Sequence, residues 1–476
     1  MIGRSFMRRF RVCNRNTLSI LAFSLLSTYV LSFLFEGQIL YGLLGIFGMS
    51  TSSNIPLAMS AQFLGLLTSG FFIKSAARAK LTMLYGTGIA FITLIPFFFA
   101  PSLLWKVGLL LGGYSSGAAI AAWGYFLKIF TERKERLKTC ADVLITSNIF
   151  MIVINFIAIR LTPYVGLVIV MLALIIGMLL TGRLKVDAAL DGVTKKGSVQ
   201  STGRLKNAVL VLCLFIAVLT INSGIMYVVI NPAFEHLTSL VSWYWAVPYI
   251  IALFVMRSLP WASRHSRVLY LGMAMMIGAF IAFMLLGRAS LDYLVVNTLF
   301  LGACGFFDLF WWSILGNMLD YTEKPSFVFG IGLSANVLGV LAGSMIGRVA
   351  RSTHLLTAEI TVMGLTVVCV TLGVLPILNR YLVLLLKDQP YLLAFEAQDA
   401  STERSASYQA EALDPLTSRE REVLEHLLAG KSNQEIAGAL SVTVNTVKTH
   451  AKNIYSKYDV HSRAELISLL LKGRDS

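Results

Sequence analysis

Near the C-terminus, Asn445, Thr446, Lys448, Thr449, His450, Lys452 and Asn453 fall within nine residues. Amides, hydroxyls and ammonium groups at that density suit hydrogen bonds to phosphates and to base edges. A second group lies inside an apolar run, where Asp308 stands among Phe306, Phe307, Leu309, Phe310, Trp311 and Trp312. A carboxylate in such a run can meet a ligand or a proton, and Trp311 and Trp312 could line an apolar pocket. Glu36, with Gln38 beside it, offers a second carboxylate near the end of another apolar run. The plainer reading is that the aromatic rings only pack or face lipid. Asn155, Asn222, Asn297 and Asn336 are read as hydrogen bonds between helices.

The first group needs a helix to present it. Thr417 and Glu420 make a capping box, and Val423, Leu424, Leu427 and Leu428 follow at helical spacing up to Gly430. Ser432 and Glu435 open a second helix with Ile436, Ala437 and Leu440 inward. Thr443 can cap a third, which buries Val447, Ile454 and Tyr458 and exposes the polar group. Ser462 can cap a fourth with Leu466, Ile467 and Leu470 on one face. This is a four-helix unit containing a helix-turn-helix, whose third helix would enter a major groove. Its net charge of only +2 over residues 415–476 does not by itself indicate a nucleic-acid surface.

Residues Leu416 to Leu471 resemble the LuxR-type (GerE-like) helix-turn-helix family. The resemblance is carried by Leu416-Thr417, Arg419-Glu420, Glu422-Val423-Leu424, Gly430, Ser432-Asn433, Glu435-Ile436-Ala437, Leu440, Thr446-Val447-Lys448, His450, Ile454, Lys457, Val460 and Arg463. It implies promoter DNA as partner, with Lys448 and Asn445 as the leading contacts and Thr446, His450 and Lys452 behind them. It implies Val447, Ile454 and Val460 as core. It also implies a homodimer on DNA that meets through the fourth helix, at Leu466, Ile467 and Leu470. Thr443 and Tyr458 depart from the family's usual Ser and Leu, yet still cap and still fill the core.

The rest of the chain is of another kind. Of its residues 56% are hydrophobic and 14% charged, and mean hydropathy is +0.73, which excludes a soluble domain of this size. Twelve apolar runs lie near 17–37, 54–73, 81–101, 103–128, 143–160, 163–182, 207–230, 239–256, 267–287, 291–318, 326–347 and 356–379. Most are long enough to cross a bilayer as helix. The first is read as a span and not as a removed signal peptide. The five cysteines, at 13, 140, 213, 304 and 369, are expected as buried thiols without a disulfide. Gly112 to Gly117 reads as a helix-packing stretch and not as a phosphate loop. No nucleophile-base pair or metal cluster is found, so the expectation is a non-enzyme without metal or cofactor.

With the N-terminus cytoplasmic, 25 Lys and Arg fall on inner segments and 5 on outer ones. The positive-inside rule then sets both termini in the cytoplasm of a cell-membrane protein in contact with lipid. The expected organisation is an all-α chain: a basic N-terminus at 1–16, six helices over 17–182, and a basic loop over 183–206. Six further helices follow over 207–387, then an acidic linker over 388–414 and the helix-turn-helix domain over 415–476. As random coil the linker would span about 30 Å. The six-plus-six layout resembles the major facilitator superfamily. In the loop after the second run Gly70, Arg78 and Lys80 fit that family's pattern, while Lys74, Ser75 and Ala77 replace its acid, first arginine and second glycine. The combination resembles membrane-bound LuxR-family regulators: the spans would sense an unknown small ligand or a membrane state, and the C-terminal domain would bind promoters. The alternative is a transporter of a small solute that carries a regulatory domain.

Overall fold

The computed structural model describes residues 2–35, 37–49, 51–186, 202–258, 265–353, 357–385, 416–428, 432–458, 460, 462 and 465–466. Most of the central loop and the whole acidic linker lie outside these. The chain divides into two units, Met1–Tyr391 and Leu392–Ser476.

The larger unit is built of α1 (Ile2–Tyr29), α2 (Gln38–Ile46), α3 (Thr51–Ser69), α4 (Ala76–Leu94), α5 (Leu103–Phe130), α6 (Arg136–Arg160) and α7 (Pro163–Arg183). It continues with α8 (Thr202–Ile225), α9 (Thr238–Tyr244), α10 (Val247–Ser258), α11 (His265–Leu285), α12 (Ser290–Met318), α13 (Pro325–Ser352) and α14 (Thr357–Leu385). Eleven of the twelve apolar runs each lie mainly on one of these helices, whereas the run 239–256 is divided between α9 and α10. Among the described residues nine helical segments are long and apolar enough to cross a membrane. Val247–Ser258 and Leu269–Leu285 are shorter apolar helices. Apolar side chains such as Leu172, Ile176 and Leu179 of α7 are exposed on the outside of the bundle, as lipid contact requires.

The two halves repeat one packing scheme. In the first half α1 packs on α6 and α7, α3 and α4 both pack on α5, and α4 packs on α7. In the second α8 packs on α13 and α14, α10 and α11 both pack on α12, and α11 packs on α14. The halves meet where α3 and α5 touch α13 and where α6 touches α10 and α12. Small residues permit this closeness. A Cβ on Gly113 would lie 2.6 Å from the Ala58 carbonyl oxygen, and one on Gly112 would lie 2.7 Å from the Tyr29 hydroxyl. The Gly112–Gly117 stretch is therefore helix packing, as its place in a span suggests. The first helix of each half also ends alike, in a π-helical turn, Val30–Leu34 after α1 and Met226–Ile230 after α8. The Phe35 amide donates to the Val30 carbonyl at 2.7 Å and the Asn231 amide to the Met226 carbonyl at 2.9 Å.

Among the described cysteines none is bonded to another. Cys140 is buried as expected, but Cys213 and Cys304 are half-buried and Cys369 is exposed, because the helix faces that carry them turn outward or toward a cavity.

The smaller unit contains α15 (Ser418–Leu428), α16 (Asn433–Leu440) and α17 (Val444–Lys457). Val423, Leu424, Leu427, Ile436, Val447 and Ile454 form its core, closed by Tyr458 and Leu466.

Candidate functional site

The polar group near the C-terminus lies on α17. Thr443 caps that helix, its hydroxyl accepting from the Thr446 amide at 3.2 Å. Before it, α16 carries the Ser432–Glu435 capping box and ends at Ser441, whose φ of 56° turns the chain sharply. This tight turn aims α17 away from α16. Val447, Ala451 and Ile454 point inward, so Asn445, Lys448, Thr449, Lys452 and Asn453 are exposed on the opposite side. Thr446 is half-buried and its hydroxyl pairs with that of Thr443 at 2.8 Å. His450 is half-buried, with an Nδ1 that finds no partner among the described residues. The Thr449 hydroxyl donates back to the Asn445 carbonyl at 3.0 Å. The far end of α17 is tied down: Lys457 Nζ lies 2.8 Å from Glu420 Oε2, which also accepts the Thr417 amide at 2.9 Å. Burial pushes the Glu420 carboxyl up, but Lys457 and Thr417 outweigh it and hold the group below the usual carboxylate range.

Ser462 opens a further turn, its hydroxyl accepting from the Glu465 amide at 3.2 Å. Leu466 is fully buried against the unit's own core. Ile467, Leu470 and Gly430 lie outside the described residues.

In the larger unit a cavity of about 160 Å³ lies between the halves. Leu31 and Phe35 reach it from the first π-helical turn, Met226 and Tyr227 from the second. Asp308 reaches it from α12 and is half-buried. Its carboxylate accepts the Tyr249 hydroxyl at 2.9 Å on one oxygen and the Trp311 indole N–H at 3.0 Å on the other. Trp312 lines the cavity, whereas Trp311 is fully buried behind Asp308 and positions it. Phe306 and Phe310 are buried packing residues. Glu36 lies outside the described residues. Of the four asparagines, Asn297 donates to the Trp245 carbonyl at 3.2 Å, Asn336 lines the cavity, and Asn155 and Asn222 are buried without a side-chain partner among the described residues. Hydrogen bonding between helices thus accounts for only the first.

Residues 414–470 match the family described as bacterial regulatory proteins, luxR family. The C-terminal unit is a LuxR-type helix-turn-helix domain. An HTH-type transcriptional regulator from the exeN 3′ region of Aeromonas salmonicida is 46% identical over 89 residues, 18% of this chain and 45% of that protein. The response regulator protein VraR of Staphylococcus saprophyticus is 45% identical over 74 residues, 15% of this chain and 35% of VraR. VraR of Staphylococcus aureus is 48% identical over 58 residues, 12% and 28%. The chain therefore spans less than half the length of these relatives. Two solved structures share the fold of the larger unit. The human organic anion transporter MFSD10 superposes with a TM-score of 0.53 at 13% identity over 78% of this chain and 99% of its own. A bacterial homologue of the iron transporter ferroportin, in an outward-facing state, gives 0.58 at 14% over 78% and 98%. The larger unit shares the fold of these two transporters, and nine of its described helical segments are long and apolar enough to cross a membrane.

Within the larger unit, the sequence leaves unsignalled a set of contacts between the two halves. Arg136, 3% exposed, donates to Asp320 at 2.6 Å and to the Gly316 carbonyl at 2.9 Å. Arg133 donates to the Tyr321 hydroxyl at 3.1 Å and Lys128 to the Thr322 carbonyl at 2.7 Å. Further along α6, Asp142 accepts Arg257 through both oxygens at 2.5 and 3.2 Å. Sequence spacing does not pair these cations with their acids, because Asp320 lies 184 residues from Arg136 and Asp142 lies 115 from Arg257. In the loop before α4, the altered residue Ser75 caps the helix through the Arg78 amide at 3.2 Å, and the retained Lys80 reaches the Gly182 and Leu184 carbonyls at 2.8 and 2.7 Å.

Proposed function

We propose that this chain is a membrane-embedded transcription regulator. In this reading twelve helices cross the cytoplasmic membrane with both termini inside. The membrane unit senses a small molecule in the cavity between its halves, and the LuxR-type domain binds promoter DNA through α17. The observation that carries the reading is the presence, on one chain, of a LuxR-type domain with an open polar face on α17 and a transporter fold whose cavity contains a carboxylate. Lys448 and Asn445 are the leading base contacts, with Thr449, Lys452 and Asn453 toward phosphate; Thr446 and His450 act from the edge of the face. Two domains pair on DNA through the segment containing Ile467 and Leu470. A ligand that favours one arrangement of the halves shifts its population, and that shift alters how the DNA-binding domains pair.

Genome-wide DNA occupancy of the tagged full-length protein, beside its Lys448→Glu variant, tests this. Discrete peaks that vanish in the variant support a membrane-tethered regulator. Intact membrane protein without discrete peaks under any growth condition turns the question to solute transport.

A further inference from the structure

The cavity between the halves has a composition that selects for charge. Asp308 is the one acidic side chain among its described lining residues, and no Lys, Arg or His lines it. Two neutral donors, Tyr249 and Trp311, satisfy one lone pair on each carboxylate oxygen and fix the group's direction. Neither donor carries a positive charge that would neutralise the carboxylate. The remaining walls include the rings of Phe35, Tyr227, Trp245 and Trp312. Aromatic faces around a carboxylate attract cations, and do so most strongly where water is displaced.

We propose that this cavity binds a small organic monocation, a protonated amine or a quaternary ammonium about the size of one ring. The proposal rests on the sensing role of the membrane unit and specifies its ligand. The volume of about 160 Å³ sets the size. A comparable protein cavity of about 150 Å³ holds benzene, so the ligand has on the order of six to ten non-hydrogen atoms. A dication would need a second carboxylate, and the described lining residues supply only Asp308. A divalent metal would need an oxygen-rich ligand set, and among the described residues no cluster of three acidic, His or Cys side chains exists. An anion would face Asp308 with no cation to offset it. Bound between Asp308 of the second half and Phe35 of the first, the cation touches both halves, which is what a ligand must do to bias their arrangement.

The test uses the full-length protein in lipid nanodiscs and four probes built on one benzene ring: benzylamine, phenyltrimethylammonium, benzyl alcohol and benzoate. Binding is read from tryptophan fluorescence and from the thermal unfolding midpoint. The two cations are expected to bind saturably, at least about tenfold tighter than the alcohol or the anion. Asp308→Asn should weaken cation binding about tenfold or more and leave the alcohol unchanged, while Asp308→Glu, which keeps the charge, should recover part of the loss. Ser223→Trp, which fills the cavity, should abolish binding of every probe. If the alcohol or benzoate binds as tightly as the amines, and Ser223→Trp removes that binding, the monocation is overturned while the cavity remains the sensing site. If no probe binds the folded protein, the cation site is overturned. Sensing through the cavity then falls too if Ser223→Trp leaves target-gene expression unchanged. A response to pH alone, lost in Asp308→Asn and indifferent to all probes, overturns the proposal in favour of a proton.

Discussion

At the scale of single residues, the proposed DNA face rests on Lys448. It is exposed one position beyond the buried Val447, near the start of α17, where a side chain can reach a base edge. Lys448→Ala should weaken operator binding by about 1–3 kcal/mol if it reads a base. If it meets only phosphate, the loss should be uniform across sequences and the salt slope should fall by about one unit. Titration of operator and scrambled DNA at several salt concentrations separates the two. Glu420 makes a different prediction. Its carboxyl is held below the ordinary range by Lys457 and Thr417 against the opposing effect of burial. A depressed carboxyl stabilises the folded domain at pH above its unfolded value, near 4.3, and that contribution is lost as pH falls through the folded value. Lys457→Ala should therefore cost about 1–3 kcal/mol at neutral pH, with the deficit shrinking as the medium is acidified below about pH 4. Much of this was legible beforehand, since Thr417–Glu420 is a local pattern and the exposed face follows from helical period. The Lys457 contact is not, because it spans 37 residues. The same holds for Asp308: Trp311, three residues on, could be anticipated, but Tyr249, 59 residues back, could not.

At the scale of elements, the capping residues Ser432, Thr443 and Ser462 act as their spacing predicts, because a cap is a contact within one turn. Less legible is the turn between α16 and α17. Ser441 adopts the left-handed conformation there with φ of 56°. Such a position carries a Cβ penalty, so Ser441→Gly should leave stability unchanged or raise it by about 0.5–1 kcal/mol, whereas Ser441→Val should lower it by about 1–2 kcal/mol. Chemical denaturation of the LuxR-type domain measures both. Leu466 shows what periodicity leaves open. Its spacing with Ile467 and Leu470 marks an apolar face, but spacing does not say whether that face meets the domain's own core or a second copy. Leu466 meets the core. In the membrane unit the glycine-rich stretch was legible as packing, while the π-helical turns were not, since nothing local in Val30–Leu34 or Met226–Ile230 differs from an apolar α-helix. Gly113→Leu would press its side chain into the α3 backbone near Ala58 and should destabilise the bundle by about 1–3 kcal/mol, seen as a lower unfolding midpoint in detergent.

At the scale of the whole membrane unit, the repeated packing of the two halves was hidden, because the halves share a helix arrangement and not a sequence pattern. What the sequence did expose was charge on one side, and the structure turns that charge into a clasp. Arg136 and Asp320, with Arg133 beside them, fasten the end of α12 to the start of α6, Lys128 ties the end of α5 to the same segment, and Asp142 with Arg257 fastens α6 to α10. The second pair is half exposed at 36% and 35% and should contribute under about 1 kcal/mol. The first is the one to break. Asp320→Asn leaves the buried Arg136 guanidinium without its counter-charge, and because Asp320 itself keeps 30% exposure the cost should be about 1–3 kcal/mol, below that of a fully buried pair. That energy is lost only from the arrangement in which these ends touch, so the equilibrium between arrangements should move by about one to two powers of ten. Spin labels on the ends of α6 and α12 should report a longer distance in Asp320→Asn and in Arg136→Ala. The charge swap carrying Arg136→Asp and Asp320→Arg should restore the short one. Target-gene expression should change in the same direction in both single variants. Unchanged expression despite a measured opening would mean that the halves move without instructing the DNA-binding domain, and the signal would then have to pass by a route other than this clasp.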